Sequence, residues 1–210
     1  MERYPLLVDT DIHPVPSSQR IGEFLPEPWR TRFLSGSVGP GGQGYWNPNG
    51  VMRSDAVLED GTRIETLPEA LGRHFFDPYG IDYGILNTAS MQISLSPEPD
   101  FSAAVVSAVN SVYLEDWLPA DPRFRLSALI ALADPDLAVK EIHRVGEHPG
   151  VVQILMPSAT QMPLGNRFFH RIYAAAVEHG LPVAIHPGAE GVGMSGAPTV
   201  AGYPSSYLEW

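Results

Sequence analysis

The sequence predicts an α/β fold of the (β/α)8 TIM barrel type. Five segments are continuous apolar runs, which are typical of parallel strands buried on both faces, and segments with helical spacing of apolar residues lie between them. Such strands form either a closed barrel or an open doubly wound sheet. No glycine-rich GxGxxG turn directly follows any of the five predicted strands. The absence of this dinucleotide-binding turn favours the barrel.

The predicted elements alternate along the chain from the second strand onward. Asp134 and Pro135 are an N-cap residue and a first-turn proline, and Gly150 is predicted to end the helix that they begin. Asp100 or Ser102 is predicted to cap the preceding helix. The predicted strands are residues 6–14, 81–87, 125–134, 150–157 and 181–188, and the predicted helices are residues 66–80, 101–118, 134–150 and 166–180.

A long segment rich in Gly and Pro follows the first strand. It runs from Pro14 to about Thr66 and includes VGPGGQGYWNPNG. A loop of this length is rare inside a compact domain unless it covers a site. We therefore predict that residues 14–66 form a lid-like insertion or a small subdomain.

Five strands are too few to close an eight-stranded barrel. The last residues, SSYLEW, resemble the beginning of another helix. We therefore expect residues 1–210 to be the N-terminal part of a single barrel domain, truncated after about five β/α units.

The composition excludes several classes of partner. The chain has 13 Lys and Arg against 24 Asp and Glu, and its formal net charge of −11 repels nucleic acid and anionic membranes. No run approaches the roughly 18 apolar residues of a membrane helix, and no signal peptide pattern is present at the N-terminus. The absence of cysteine excludes disulfides and thiolate metal sites and fits a reducing compartment, so we predict a cytoplasmic protein.

The first strand ends in the acidic sequence DTDIHP. The two-residue period of a strand is expected to place Asp9, Asp11 and His13 on one face. His186 ends the fifth strand in the similar sequence AIHP, with Ala184 on its face and Val183 and Ile185 on the other. In an eight-stranded barrel the first and fifth strands stand opposite each other, and active sites assemble at the carboxyl ends of the strands.

One aspartate and two histidines are a suitable ligand set for a divalent metal. Asp11, His13 and His186 offer one oxygen and two nitrogens, which suits Zn²⁺ first and also Mn²⁺, Co²⁺ or Fe²⁺. Asp9 lies one layer deeper, where it is expected to orient a ligand or to fill the barrel interior.

The other five histidines have structural explanations. His148 and His179 lie near helix C-termini, where the helix dipole favours an imidazole. His143 and His170 lie within helical segments, and His74 precedes two phenylalanines. We expect none of these five side chains to bind the metal.

Three motifs resemble the amidohydrolase superfamily, and most closely its amidohydrolase-related (amidohydrolase 2) branch. They are DTDIHP at the first strand, DPYGIDYGIL leading into the second, and LPVAIHPG at the fifth, and the resemblance runs from Val8 to Trp210. The branch includes metal-dependent hydrolases and non-oxidative decarboxylases of the aminocarboxymuconate-semialdehyde and resorcylate type.

The resemblance implies a distorted barrel in which Asp11, His13 and His186 bind one divalent metal. Many relatives have histidine where this chain has Asp11. The resemblance also implies a histidine after the sixth strand and an aspartate at the eighth that handle protons, and these are expected beyond Trp210. The fourth strand, GVVQILMP, lacks the lysine of the two-metal members, which favours a single ion.

Three functions follow from this set of residues. We expect first a hydrolase of a small ester, lactone or amide, in which the metal lowers the pKa of a bound water toward about 7. The alternative is a decarboxylase in which the metal chelates a substrate carboxylate and an adjacent hydroxyl group. The third is a non-catalytic fragment or pseudoenzyme whose exposed strand edges favour self-association into a homo-oligomer. The predicted substrate contacts are Asn87, Met156, Trp46 and Arg53.

Overall fold

The computed structural model describes residues 6–36, 56–89, 91–160 and 162–187. Within these residues the chain forms one parallel sheet in the order β1-β2-β3-β4-β5. The strands are β1 (Val8–Ile12), β2 (Tyr83–Leu86), β3 (Phe124–Leu129), β4 (Val151–Pro157) and β5 (Val183–His186). The α-helices are α1 (Ser18–Glu23), α2 (Trp29–Leu34), α3 (Pro68–Leu71), α4 (Asp77–Tyr79), α5 (Pro99–Val112), α6 (Pro135–Val145) and α7 (His170–Glu178).

Short turns of other helix types extend several of these helices. A π-helical turn, Gly72–Phe76, joins α3 to α4, and a second, Tyr113–Trp117, continues α5. Single 3₁₀ turns are formed by Ile64–Thr66, Met91–Leu95 and Arg167–Phe169. None of the described helices is long and apolar enough to span a membrane.

The sheet is strongly curled. Adjacent strands are about 4.8 Å apart, so the two edges of a flat five-stranded sheet would be separated by about 19 Å. The Nε2 atom of His186 at the tip of β5 nevertheless lies 2.8 Å from the Oδ1 atom of Asp11 on β1. The sequential strand order also excludes the doubly wound alternative, in which the order reverses at a switch point. The predicted barrel type is therefore confirmed.

The predicted start of α6 is confirmed, but its predicted end at Gly150 is wrong, because the helix ends at Val145 and Gly146 is its C-cap residue. The predicted caps of α5 are also wrong. The Asp134 carboxylate accepts hydrogen bonds from the backbone amides of Asp136 (2.8 Å) and Leu137 (3.2 Å), as an N-cap residue should. In α5 the N-cap position is Glu98, whose side chain makes no capping hydrogen bond, and Pro99 is the first helical residue. The Ser102 hydroxyl instead donates to the carbonyl of Ile93 at 2.6 Å.

Part of the segment from Pro14 to Thr66 is regular, because it contains α1 and α2, which were not predicted from the sequence. The Ser17 hydroxyl accepts a hydrogen bond from the Arg20 amide at 3.2 Å and so caps α1. Arg20 also donates two hydrogen bonds to Asp116, which follows α5, at 2.7 and 2.8 Å. These contacts hold α1 against the helical layer. The lid role of residues 14–66 stays a prediction, since residues 37–55 lie outside the described part.

Gly84 on β2 permits close packing between the sheet and the helix that precedes it. A Cβ atom at this position would collide with the ring of Phe76 and would lie 2.5 Å from Cδ1 of Ile12. Phe76 is fully buried and packs edge to face against Phe124 of β3, with ring centroids 5.1 Å apart. This cluster therefore fixes the helix against β1, β2 and β3.

We expect Gly84→Ala to destabilise the protein by about 1–3 kcal/mol, because the extra methyl group overpacks a filled site. Gly165→Ala is the matched control, since a Cβ atom there meets nothing within 4 Å. The measurement is the free energy of unfolding in urea for both variants. Equal stability of the two variants would contradict the packing described for Gly84.

Candidate metal centre

The tip of β1 carries an irregularity that sets the position of Asp11. Asp9 pairs with Gly84 of β2 and Ile12 pairs with Leu86, so three steps along β1 match two along β2. Such a bulge interrupts the two-residue alternation and redirects a side chain, often next to an active site. The shared face of Asp9 and Asp11 was predicted from regular alternation, which is interrupted here, so it stays a prediction. The Asp9 carboxylate accepts a hydrogen bond from the backbone amide of Asp11 at 3.0 Å.

His186 is held at the tip of β5 by pairing with β4. It is in register with Pro157, and its carbonyl accepts a hydrogen bond from the amide of Ser158 at 2.9 Å. The side chain of His186 is only 19% exposed. Ile185 is predicted on the opposite face and is 57% exposed, so the described helices leave it uncovered.

Asp11, His13 and His186 lie together at the carboxyl ends of β1 and β5. The Oδ1 atom of Asp11 is 2.8 Å from Nε2 of His186 and 3.1 Å from Nε2 of His13. The two imidazole rings are perpendicular, with centroids 5.1 Å apart. Among the described residues this is the one group of three or more His, Asp or Glu side chains whose ligand atoms all lie within 4.8 Å of one another.

Asn87 holds two members of this cluster. Its side-chain amide donates hydrogen bonds to Oδ1 of Asp11 (3.2 Å) and to the carbonyl of Thr10 (3.0 Å). Its backbone amide donates to the carbonyl of Ile12 at 2.7 Å, and its backbone also hydrogen-bonds His13. Asn87 is 2% exposed, and its own Oδ1 is buried without a hydrogen-bond partner among the described residues.

The hydrogen bonds of His186 indicate that a cation belongs between its ring and Asp11. The Nδ1 atom of His186 lies in hydrogen-bond contact with the carbonyl of Pro187, so Nδ1 carries the proton. In the neutral ring Nε2 then presents a lone pair to the Asp11 carboxylate at 2.8 Å, which is repulsive unless a proton or a metal ion lies between them. A backbone carbonyl that fixes the far nitrogen in this way is typical of metal-binding histidines.

Burial and neighbouring charges set the protonation of Asp11 and His13. Burial raises the pKa of Asp11, but the hydrogen bond from His186 and the charges of both histidines outweigh it and hold that pKa below its usual value. Burial is the largest influence on the pKa of His13 and lowers it, and attraction to Asp11 compensates only in part. At neutral pH the pair is therefore an ionised carboxylate and a neutral imidazole, which are the forms that bind metals.

The three side chains fit a divalent metal. Two ligand atoms bound to one ion at about 2.0–2.2 Å lie roughly 2.9–3.5 Å apart when the angle between them is about 90–110°. The separations of Asp11 Oδ1 from the two histidine nitrogens, 2.8 and 3.1 Å, are close to this range. One carboxylate and two imidazoles also leave coordination positions open for a substrate.

The other three predicted substrate contacts are not part of this cluster in the described structure. Met156 is in register with Ile185 and is fully buried, so it lies on the face opposite His186 and does not reach the cluster. Trp46 and Arg53 lie outside the described residues.

Tyr113 supports the site and had no sequence signal, because it falls in an ordinary apolar helical pattern. Its hydroxyl donates to the carbonyl of Pro14 at 2.9 Å, directly after His13. Burial raises the pKa of Tyr113, so its phenol remains a hydrogen-bond donor.

The comparison with known families decides which family this arrangement represents. The family model described as amidohydrolase matches residues 8–207, which is nearly the whole chain. This chain belongs to the amidohydrolase family. The match confirms the resemblance that the strand-end motifs carry. No curated protein matches the amidohydrolase chain significantly.

Solved structures with the same fold include three decarboxylases. The first is the 5-carboxyvanillate decarboxylase LigW2 from Novosphingobium aromaticivorans, solved with bound manganese and 3-methoxy-4-hydroxy-5-nitrobenzoic acid. It is 22% identical to this chain with a TM-score of 0.63, and the match covers 92% of this chain and 52% of that one. The 5-carboxyvanillate decarboxylase LigW from Sphingomonas paucimobilis is 18% identical with a TM-score of 0.62 and coverages of 88% and 52%. The 2,6-dihydroxybenzoate decarboxylase from Rhizobium is 18% identical with a TM-score of 0.59 and coverages of 88% and 50%. The amidohydrolase chain thus spans about half the length of these proteins.

We expect Asn87→Leu to weaken Mn²⁺ binding by about 10- to 100-fold, because residues that orient metal ligands contribute this much to affinity. The measurement is the Kd for Mn²⁺ by calorimetry. Asn110→Leu is the matched control: Asn110 is equally buried, but it hydrogen-bonds Leu129 of β3 and Glu141 of α6. It should lower stability and leave the Kd unchanged. Unaltered Mn²⁺ affinity in Asn87→Leu would exclude the positioning role.

Proposed function

We propose that the protein is a metal-dependent, non-oxidative decarboxylase of a small hydroxylated aromatic carboxylic acid. The observation that carries this proposal is the convergence of Asp11, His13 and His186 at the carboxyl ends of β1 and β5. Membership of the amidohydrolase family and the decarboxylases of similar fold support it.

Asp11, His13 and His186 would hold one divalent ion, which when bound supplies a Lewis acid for the substrate carboxylate and an adjacent hydroxyl group. With bonds of about 2.1 Å, separations near 3 Å correspond to angles near 90°, which suit octahedral Mn²⁺ better than tetrahedral Zn²⁺. Manganese in a decarboxylase of similar fold supports the same choice. We therefore propose Mn²⁺ where the sequence favoured zinc, with Co²⁺ and Fe²⁺ as alternatives.

The charge of the chain gives such a centre an additional role. A formal net charge of −11 repels an anionic substrate, so local positive charge is needed to bind a carboxylate. Asn87 and Asp9 hold Asp11 in place beside the two histidines. A cation held by these side chains would have a fixed position and could orient a planar anion. A fixed orientation is the main contribution that a protein makes to breaking a carbon–carbon bond in a chelated acid.

Hydrolysis is the second candidate. The same ligand set serves the activation of water, and the family description supports it. The two reactions differ in substrate and product, so they can be separated directly. Our proposal also keeps the predicted cytoplasmic location, with a small molecule as the partner.

The test is turnover of two substrate groups by the full-length protein with Mn²⁺. The first contains 2,6-dihydroxybenzoate and 5-carboxyvanillate, with CO₂ release as the readout, and the second contains aryl esters, lactones and anilides. We expect CO₂ release that requires metal and that His186→Ala reduces to background. His170→Ala is the matched control, because His170 is exposed at the start of α7, and it should retain full activity.

Two results would overturn the proposal. Metal-dependent cleavage of esters or amides without CO₂ release would establish the hydrolase instead. A folded protein that binds one equivalent of Mn²⁺ and turns over neither substrate group would support the non-catalytic alternative.

A further inference from the structure

A second pair of histidines lies on the outer layer of the molecule. His143 is in the last turn of α6 and His179 is the C-cap residue of α7, two helices that pack against each other. The Nδ1 atom of His143 is 2.9 Å from Nε2 of His179, and the ring centroids are 5.2 Å apart. Considered separately in the sequence, each histidine has only a structural role. Packing of the two helices brings them together.

This pair is separate from the candidate metal centre. Both histidines lie at helix C-termini, just before β4 and β5 begin, whereas Asp11 and His186 lie where β1 and β5 end. In a β/α fold the helices run antiparallel to the strands, so the two sites lie at opposite ends of the sheet.

Gly146 provides the space in which the His179 ring lies. A Cβ atom at this position would be 2.6 Å from Cγ and 2.8 Å from Nδ1 of His179. The ring therefore packs directly on the backbone at the end of α6, and the side chain is half-buried. His143 is exposed, so its ring can turn toward a ligand while His179 stays fixed.

The two imidazole nitrogens are 2.9 Å apart, so a proton or a metal ion must lie between them. Two facing lone pairs or two facing N–H groups would repel each other. When no metal is bound, one ring donates a single N–H proton to the lone pair of the other. When each ring carries its proton on the outward nitrogen, both lone pairs become available for a metal ion, and no net proton is released. Bonds of about 2.0–2.1 Å to two nitrogens 2.9 Å apart give an angle near 90°.

We propose that His143 and His179 form a bidentate site for an imidazole-preferring divalent ion that joins α6 to α7. An angle near 90° fits the square-planar geometry of Cu²⁺ and Ni²⁺, and Cu²⁺ binds nitrogen ligands most tightly of the first-row divalent ions. Arg144, the neighbouring cation, is paired with Glu141 at 2.7 Å and so repels a metal ion less. Among the described residues no third acidic or histidine ligand atom completes a group here, so water fills the remaining positions.

The probe is Cu²⁺ alone, measured in a His13→Gln/His186→Gln background that removes the first centre. We expect one equivalent of copper whose electron paramagnetic resonance spectrum shows two coupled imidazole nitrogens. His143→Gln and His179→Gln should each remove the whole equivalent, because one imidazole on the surface binds far more weakly than two. His170→Gln, an exposed histidine on the same α7, is the matched control and should change nothing.

Thermal unfolding provides a second measurement. Copper should raise the Tm of the background protein and of His170→Gln, and it should leave the Tm of His143→Gln and His179→Gln unchanged, since a ligand stabilises only a fold that binds it. Copper uptake that persists in both pair variants, or a spectrum with one nitrogen, would overturn the proposal. These results do not depend on decarboxylase activity, so the two proposals can fail independently.

Discussion

The curl of the parallel sheet is the constraint on which the candidate site depends. Asp11 and His186 lie on edge strands that are separated by three others, and only strong curvature brings their ligand atoms to 2.8 Å. On β2, Phe76 and Ile12 pack so closely around Gly84 that no larger residue fits there. The position of the candidate ligands therefore depends on how far the five-stranded sheet curls.

Polar groups around the centre restrict its side chains before any metal is bound. Asn87 connects β2 to Asp11 and His13, Asp9 fixes the backbone of Asp11, and the Pro187 carbonyl selects one tautomer of His186. Such preorganisation lowers the cost of binding an ion, because the ligands lose little freedom when it arrives. A bulge in β1 interrupts the regular pairing next to Asp11.

The two histidine pairs show how similar residues acquire different chemistry. His13 and His186 share a carboxylate at the carboxyl ends of the strands, which makes a candidate metal site with three ligands. His143 and His179 meet without a carboxylate at the other end of the sheet, where a cation would link two helices. The family match extends over nearly the whole chain, and it does not by itself assign a role to either pair.

The sequence by itself determined the parallel strands, the helix that Asp134 begins, and the three residues of the candidate centre. Each of these is encoded locally, in an apolar run, a cap or a motif at a strand end. It did not determine the helices α1 and α2, the face of Met156, or the roles of Asn87 and Tyr113. Those depend on strand register and on contacts between segments far apart in the chain, as when Asn87 meets Asp11 or His143 meets His179. Only the tertiary structure could decide them, because no local pattern of residues records which distant groups a curled sheet brings within hydrogen-bonding distance.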